Sequence, residues 1–488
     1  MRIRSWIVIS LLTGGCAVGP NYKRPDVTVP QQFRGVSAAE AASLADQPWW
    51  EIFGDETLKS LIDEAIHNNY DVRAATWRVE EFRARAGIVR SQFYPQIGYE
   101  AGWSRSRESA FVEPGGAHPR NLHEVNLGLS WELDLWGRIR RLSEASLAQY
   151  LSTEEARRGV LVSVVSDTAQ AYFELRDLEA RLAIARRTTE AFDGTYNLFG
   201  QQVRGGVASH LELSRAEAAL KGAAATIPDL EQQIVAQENL ICFLLGRTPG
   251  PIPPGSSLTE QPLPPEVPPG LPSTLLERRP DIRQAEQQLV SANAQVGAAM
   301  AEFFPKISIT GAFGGASPEV TDLFAGGKMW SIAAGLAGPL FQGGRLKNQY
   351  DADVAVFEQT KLHYESVVTR AFGEVSTALS AYAELASSEK EQARSVAAYQ
   401  EAVELANIRY RAGLANYIEV LDAEQQLFPA ENTLAQKRLA RLESLVALYK
   451  SLGGGWSLQA QEASSGSRIE TAPGKVALEA RAAPATIR

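Results

Sequence analysis

From Gln96 to Ser106 the chain reads QIGYEAGWSRS, in which Ile97, Tyr99, Ala101 and Trp103 alternate with Gln96, Gly98, Glu100, Gly102 and Ser104. Alternate side chains of an extended segment point to opposite faces, so this period of two predicts a strand with one apolar and one polar face. HEVNLGLSWELDLW, His123 to Trp136, repeats the pattern more cleanly. It alternates Val125, Leu127, Leu129, Trp131, Leu133 and Leu135 with Glu124, Asn126, Gly128, Ser130, Glu132 and Asp134. A later pair follows the same rule, with Ile307, Ile309 and Phe313, then Trp330, Ile332, Ala334 and Leu336.

Between and after these strands the period changes. Arg138 to Val203 and Arg345 to Tyr410 contain no proline and are dominated by Ala, Leu, Glu, Arg and Gln, which predicts two very long helices. At 1.5 Å per residue, each spans about 99 Å, more than a globular core requires. Shorter helical segments lead into each strand pair, Glu56 to Gln92 and Ser273 to Glu302, and Pro95 and Pro305 stop them. Others return after each long helix, Ala208 to Leu245 and Ala415 to Leu452. A leading and a returning segment laid end to end match the long helix, at roughly 110 Å. The unit is therefore a rod of paired helices with a strand hairpin at one end and a helical turn at the other. Its apolar seams read as coiled-coil packing, and charge runs such as EEARRG as a solvated face.

The unit occurs twice. RGGVASHLELSRAE, Arg204 to Glu217, and RAGLANYIEVLDAE, Arg411 to Glu424, match at Arg204/Arg411, Gly206/Gly413, Ala208/Ala415, Glu212/Glu419, Ala216/Ala423 and Glu217/Glu424. Asp71 to Gly98 lines up with Asp281 to Ser308 in the same way, with equal spacing from the Asp to Pro95 and to Pro305. ELDLWGRIRR and GPLFQGGRLKN form a third pair. Fixed-offset similarity of this kind marks tandem copies. The expected organisation is a signal peptide over 1–15, an extended N-terminal segment over 16–54, repeat 1 over 55–247, a proline-rich linker over 248–273, repeat 2 over 274–456 and a flexible tail over 457–488. The prolines of the linker exclude helix and sheet and predict an extended connection that carries the chain back along the rod.

Composition narrows the function. MRIRSWIVISLLTGGC has two arginines, an apolar run and small residues up to Cys16, which is a secretory signal. Its end resembles a bacterial lipoprotein signal in which Cys16 is lipidated, although Thr13 stands where Leu is commonest; the alternative is an ordinary cysteine. Cys242 is the one other cysteine, so with Cys16 acylated there is no disulfide to form. The five histidines are scattered, and His118 and His123 fall in a polar loop rather than at metal-ligand spacing. No GxSxG elbow, phosphate loop or CxxC occurs, so the reading is not an enzyme and needs no cofactor beyond the lipid. A net charge of −9 argues against nucleic acid as a partner.

Strands of about ten residues with an apolar face suit a membrane barrel, and alternation alone suits a soluble sheet equally. Two features favour the membrane: the lipoprotein signal, and the lack of a further helix or sheet to cover the apolar face. Four strands cannot close a barrel, since the smallest have about eight, so several chains must pool their strands.

NYKRP, PWWEIFGDETLKSLIDEAIHNNYDVRAA, FYPQIG, WELDLWGRIRR, RRPDIRQAE, FFPKISITGAFG, GPLFQGGRL and YRAGLANYIEVLDAEQQLF resemble the outer-membrane efflux lipoproteins of tripartite drug pumps, TolC-like channels of the NodT-like branch. The resemblance covers roughly residues 16 to 455. It implies a mixed α and β fold: a homotrimer with four strands per chain in one outer-membrane β-barrel, continued by a long periplasmic α-helical barrel. It implies a passive exit duct for drugs or other small molecules, a periplasmic adaptor protein meeting the tips, and an inner-membrane transporter. The tips are Arg204, Gly205, Gly206 and Val207, then Arg411, Gly413 and Leu414. The resemblance also implies a periplasmic gate at Ile418 and Asp422, one helical turn apart; a turn further on this chain has Gln425 where close relatives have arginine. Arg215, the counterpart of Asp422 in the first copy, is the first candidate to pair with it across neighbouring helices; solvated charges at a tip are the alternative and the commoner case. The competing reading is a periplasmic adaptor lipoprotein, which would have one helical hairpin rather than two, flanked by soluble β domains.

Overall fold

The computed structural model describes residues 17–33, 52–107, 109, 111, 118–261, 263, 270 and 272–454. The signal peptide, Cys16 and the tail from 457 lie outside the described residues. Repeat 1 comprises α1 (Glu56–Asn68), α2 (Tyr70–Arg90), β1 (Gln96–Ser106), β2 (Arg120–Leu133), α3 (Arg138–Arg204) and α4 (His210–Leu244). Repeat 2 comprises the single turn α5 (Leu275–Arg278), α6 (Pro280–Ala301), β3 (Lys306–Ser317), β4 (Lys328–Ala337), α7 (Arg345–Arg411) and α8 (Tyr417–Ser451). The long helices are 67 residues each, about 100 Å.

The leading segments are not continuous helices as expected. Asn69 breaks the first one: its backbone leaves helical geometry, at φ −55° and ψ 133°, and its side chain accepts from the N–H groups of Asp71 and Val72, capping α2. The same side chain donates to Leu244 O at the end of α4, at 2.8 Å. Asn69 thus splices α4 onto α2, so that the two short helices together run alongside α3. In repeat 2 the residue before Pro280 is pushed out of helical geometry. That residue, Arg279, does the splicing with other chemistry. It donates to Ser451 O at the end of α8 at 2.9 Å and forks onto Asp281 and Glu374. The returning helices, 35 residues each, run through interior prolines at Pro228 and Pro429, each giving up one ladder bond.

The helices form a wall. α3 lies between the α2 and α4 column on one side and the α6 and α8 column on the other, with α7 packed against α6 and α8. The largest core sits at the splice level, where α1, the middle of α3 and the ends of α4 and α8 bury Leu58, Ile62, Tyr172, Phe173, Leu245 and Tyr449. The described part of the linker is docked there rather than carried along the rod. Asp55 Oδ2 accepts from the Tyr172 hydroxyl at 2.6 Å, Gln261 Nε2 at 2.7 Å and Ser256 N at 3.0 Å. Arg438 of α8 donates to Gln261 O at 2.7 Å. Because the splices already bring α4 and α8 back to the starts of α2 and α6, the linker has no rod length to retrace.

The four strands form one antiparallel sheet in the order β1-β2-β3-β4. The register places Ile97 opposite Leu129, Leu127 opposite Phe313, Ile309 opposite Ala334 and Phe313 opposite Trp330. Paired residues share a face, so the apolar positions of all four strands form one surface. Gly314 is needed for the pairing, because a Cβ there would lie 2.0 Å from Val125 O.

Candidate functional site

The sheet carries the first element of the site. Tyr99, Trp103, Phe313, Trp330, Ile332 and Leu336 are exposed on its apolar face, and no other described residue covers them. Both edges, β1 and β4, have an unpaired side. At the base of the sheet Trp136 stacks on Phe304, centroids 4.9 Å apart, and its Nε1 donates to Pro305 O at 2.8 Å, fixing the first strand-to-helix corner against the second repeat. Beside it, Glu132 receives a two-pronged bond from Arg138, at 2.9 and 2.8 Å.

The chain just after Cys16 is anchored at this same corner. Val18 N donates to Trp136 O, and a Cβ on Gly137 would lie 2.6 Å from Ala17 Cα. Arg141 then holds Val18 O, Gly19 O and Asn21 Oδ1, and Arg24 forks onto Glu286 at 2.7 and 2.6 Å. The strap thus begins at the sheet and runs down α6.

At the far end are the two tips. Arg204, Gly205, Gly206 and Val207, and Arg411, Gly413 and Leu414, are all exposed. Gly206 and Gly413 have φ of +72° and +71°, a region that costs a side chain but not glycine. The turns are closed identically: Val207 N to Gln202 O and Gly206 N to Val203 O in one, Leu414 N to Arg409 O and Gly413 N to Tyr410 O in the other. This pair of bonds satisfies carbonyls that a helix end otherwise leaves free. Ser209 and Glu212 then form a reciprocal cap on α4, and Asn416 caps α8. The Ser209 backbone N–H, and after it the Ser209 hydroxyl and the Asn416 amide, hold the Glu212 carboxyl below its usual range.

The positions expected to form the gate, Ile418, Asp422 and Gln425, lie on one exposed stripe of α8, while Tyr417, Val420 and Leu421 turn inward. The expected pairing of Asp422 with Arg215 is not formed within the chain. Both are exposed, and among the described residues no ion pair joins them. The tip's own ion pair is Arg409 with Glu419, at 3.5 Å.

Two features behind the stripe escaped the sequence reading. Tyr417 packs edge-on against Phe199 and Tyr410, and its hydroxyl meets Thr195 of α3. Glu424 is partly buried, and its Oε2 has no hydrogen-bond partner. Burial pushes its carboxyl above the usual range. Its counterpart Glu217 is exposed, so the matched pair in the sequence gave no signal of the difference.

An exposed apolar sheet set on helices of about 100 Å, built twice, defines a wall segment of a membrane-to-periplasm conduit. The chain belongs to the outer membrane efflux protein family, whose model matches residues 61–247 and 271–454. It is 35% identical over 479 residues to the toluene efflux pump outer membrane protein TtgC of Pseudomonas putida, covering 96% of this chain and 99% of that one. It is equally 35% identical over 456 residues to the cation efflux system protein CusC of Escherichia coli, covering 92% and 97%. The open state of the MtrE outer membrane channel of Neisseria gonorrhoeae has the same fold, with a TM-score of 0.83 and 33% identity, covering 90% of this chain and 98% of that one.

Proposed function

We infer that this chain is the outer-membrane channel of a tripartite efflux system, a passive exit duct for small molecules across the periplasm and outer membrane. The observation that carries this is the four-stranded sheet, apolar on one exposed face, open at both edges and continuous with the helical wall. A single copy cannot satisfy the edge backbone groups in lipid, so copies must close on one another. Three copies give twelve strands and a wall of twelve helical columns, a homotrimer. An adaptor would need one hairpin and soluble β domains, and this chain has two hairpins joined to one membrane sheet.

Further parts of the reading follow from placement. Cys16 carries the lipid: Ala17 sits at the base of the sheet, where an acyl chain on the preceding residue would enter the membrane. The exposed tips meet a periplasmic adaptor, which links the duct to an inner-membrane transporter. Ile418, Asp422 and Gln425 line the periplasmic constriction. The duct performs no chemistry and holds no cofactor beyond the lipid. TtgC and CusC are named for toluene and for cations, yet this chain is equally similar to both, so selection of cargo belongs to the transporter.

The test is complementation. In a strain that lacks this channel but keeps its adaptor and transporter, the wild-type gene restores resistance to the pump's substrates. A protein that reaches the outer membrane yet never restores export would overturn the reading.

A further inference from the structure

We propose that neighbouring copies meet where the face of α2 carrying Gly87 receives the first turns of α7, around Asn348, from the next copy. This rests on the reading above that several copies close one duct, and it adds which residues meet.

The two repeats correspond residue by residue. α3 and α7 begin and end 207 positions apart, and Asp71 and Pro95 precede Asp281 and Pro305 by 210. Within the chain, α3 of repeat 1 packs on α6 of repeat 2. The counterpart contact would put α7 on α2. This chain's α2 instead packs on α3, at the opposite margin of the wall from α7. A next copy supplies the missing α2, in the head-to-tail manner by which rings close.

Gly297 of α6 shows what such a contact demands. A Cβ there would lie 2.9 Å from Arg141 Nε and 3.1 Å from Arg141 Cγ, and Gly19 of the strap approaches the same residue, so the Arg141 side chain of α3 and the strap both pack on a glycine. Its counterpart on α2 is Gly87, also a glycine, around which nothing lies within 4 Å of a Cβ. A glycine inside a helix is unfavourable, and no contact among the described residues requires this one. The counterpart of Arg141 is Asn348, in the first turn of α7. Gly87 thus offers Asn348 of the next copy the same open helix surface that Gly297 offers Arg141.

The neighbouring positions agree. Ala298 is 6% exposed, but its counterpart Ile88 is apolar and 68% exposed. Glu155 is 6% exposed, but its counterpart Leu362 on α7 is apolar and 64% exposed. At the corner, Phe304 is covered by Trp136, whereas its counterpart Tyr94 is exposed. The loop that leads into α7 offers Leu340 and Phe341, both exposed, to cover it.

Two variants test this in the full-length protein in detergent. Gly87→Leu has room within one copy, so the chain should fold with unchanged circular dichroism, while the oligomer dissociates at a protein concentration at least tenfold higher than wild type by mass photometry. Gly87→Cys with Asn348→Cys should give disulfide-linked dimers and trimers on non-reducing gels, and neither single variant should. A wild type that stays a trimer while Gly87→Leu associates normally and the double-cysteine variant forms no links overturns this interface but leaves the duct intact. A wild type that is monomeric overturns the duct reading itself.

Discussion

Thr195 Oγ1 and the Tyr417 hydroxyl oxygen lie 2.5 Å apart, buried, joining the descending helix of repeat 1 to the ascending helix of repeat 2. They are 222 positions apart in the chain. With Phe199 and Tyr410 packed edge-on around the Tyr417 ring, this contact ties the two tips into one body. Tyr417→Phe should keep the packing and lose the bond, about 1 kcal/mol, since Thr195 still donates to Ala191 O. Tyr417→Ala should cost about 3–5 kcal/mol. Hydrogen exchange at residues 190–205 and 410–422 should accelerate slightly in the first variant and strongly in the second. Equal rates in wild type and Tyr417→Ala would show that the tips are held some other way.

Glu424 makes the lower wall sensitive to pH. Burial raises the pKa of its carboxyl, and the nearby Tyr417 hydroxyl is in turn held above its ordinary range, first by its own burial and then by the Glu424 charge. A folded acid with a raised pKa binds its proton more tightly than the unfolded chain does. Packing is thus most stable below the ordinary carboxylate range and weakens as pH rises through the raised value. Glu424→Gln should remove that part of the slope above the ordinary carboxylate range and protect the tip as pH rises further. Thermal unfolding of both proteins across this range measures it; parallel curves would mean that Glu424 is not the group.

Gly413→Val tests the tips as a docking surface. The left-handed backbone at φ +71° resists a β-branched residue, so the turn must rearrange although the space around it is open. Crosslinking to the adaptor and drug resistance should both fall while the trimer persists. If neither changes, recognition lies elsewhere.

Among the described residues Asp422 has no ion-pair partner, so three copies would present three carboxylates around the axis. Carboxylates in a narrow pore focus negative potential and favour cations. In planar bilayers Asp422→Asn should lower cation preference, and Ile418→Ala should raise conductance by widening the apolar ring. Selectivity and conductance equal to wild type in both would place the constriction away from this stripe.

Much of this was legible in the chain because it repeats. Period-two alternation located all four strands, and the absence of proline placed the long helices to within a residue at each end. The leading segments, not the returning ones, departed from expectation. The returning helices continue through Pro228 and Pro429 as expected, whereas the first leading segment breaks at Asn69, whose side chain both caps α2 and reaches Leu244 O. That bond spans 175 positions and has no local signature. One-turn spacing shows that Ile418, Asp422 and Gln425 share a face of α8, while their reading as a gate came from the family resemblance alone. Burial of Glu424 and the Thr195 contact could not be read from spacing, because they depend on which helices the other faces meet.

Electron microscopy of the full-length protein purified in detergent tests the duct most directly. Three copies closing twelve strands and twelve helical columns should give a three-fold hollow cylinder more than about 100 Å long. A compact particle, or an open two-copy assembly with no through-channel, would contradict it.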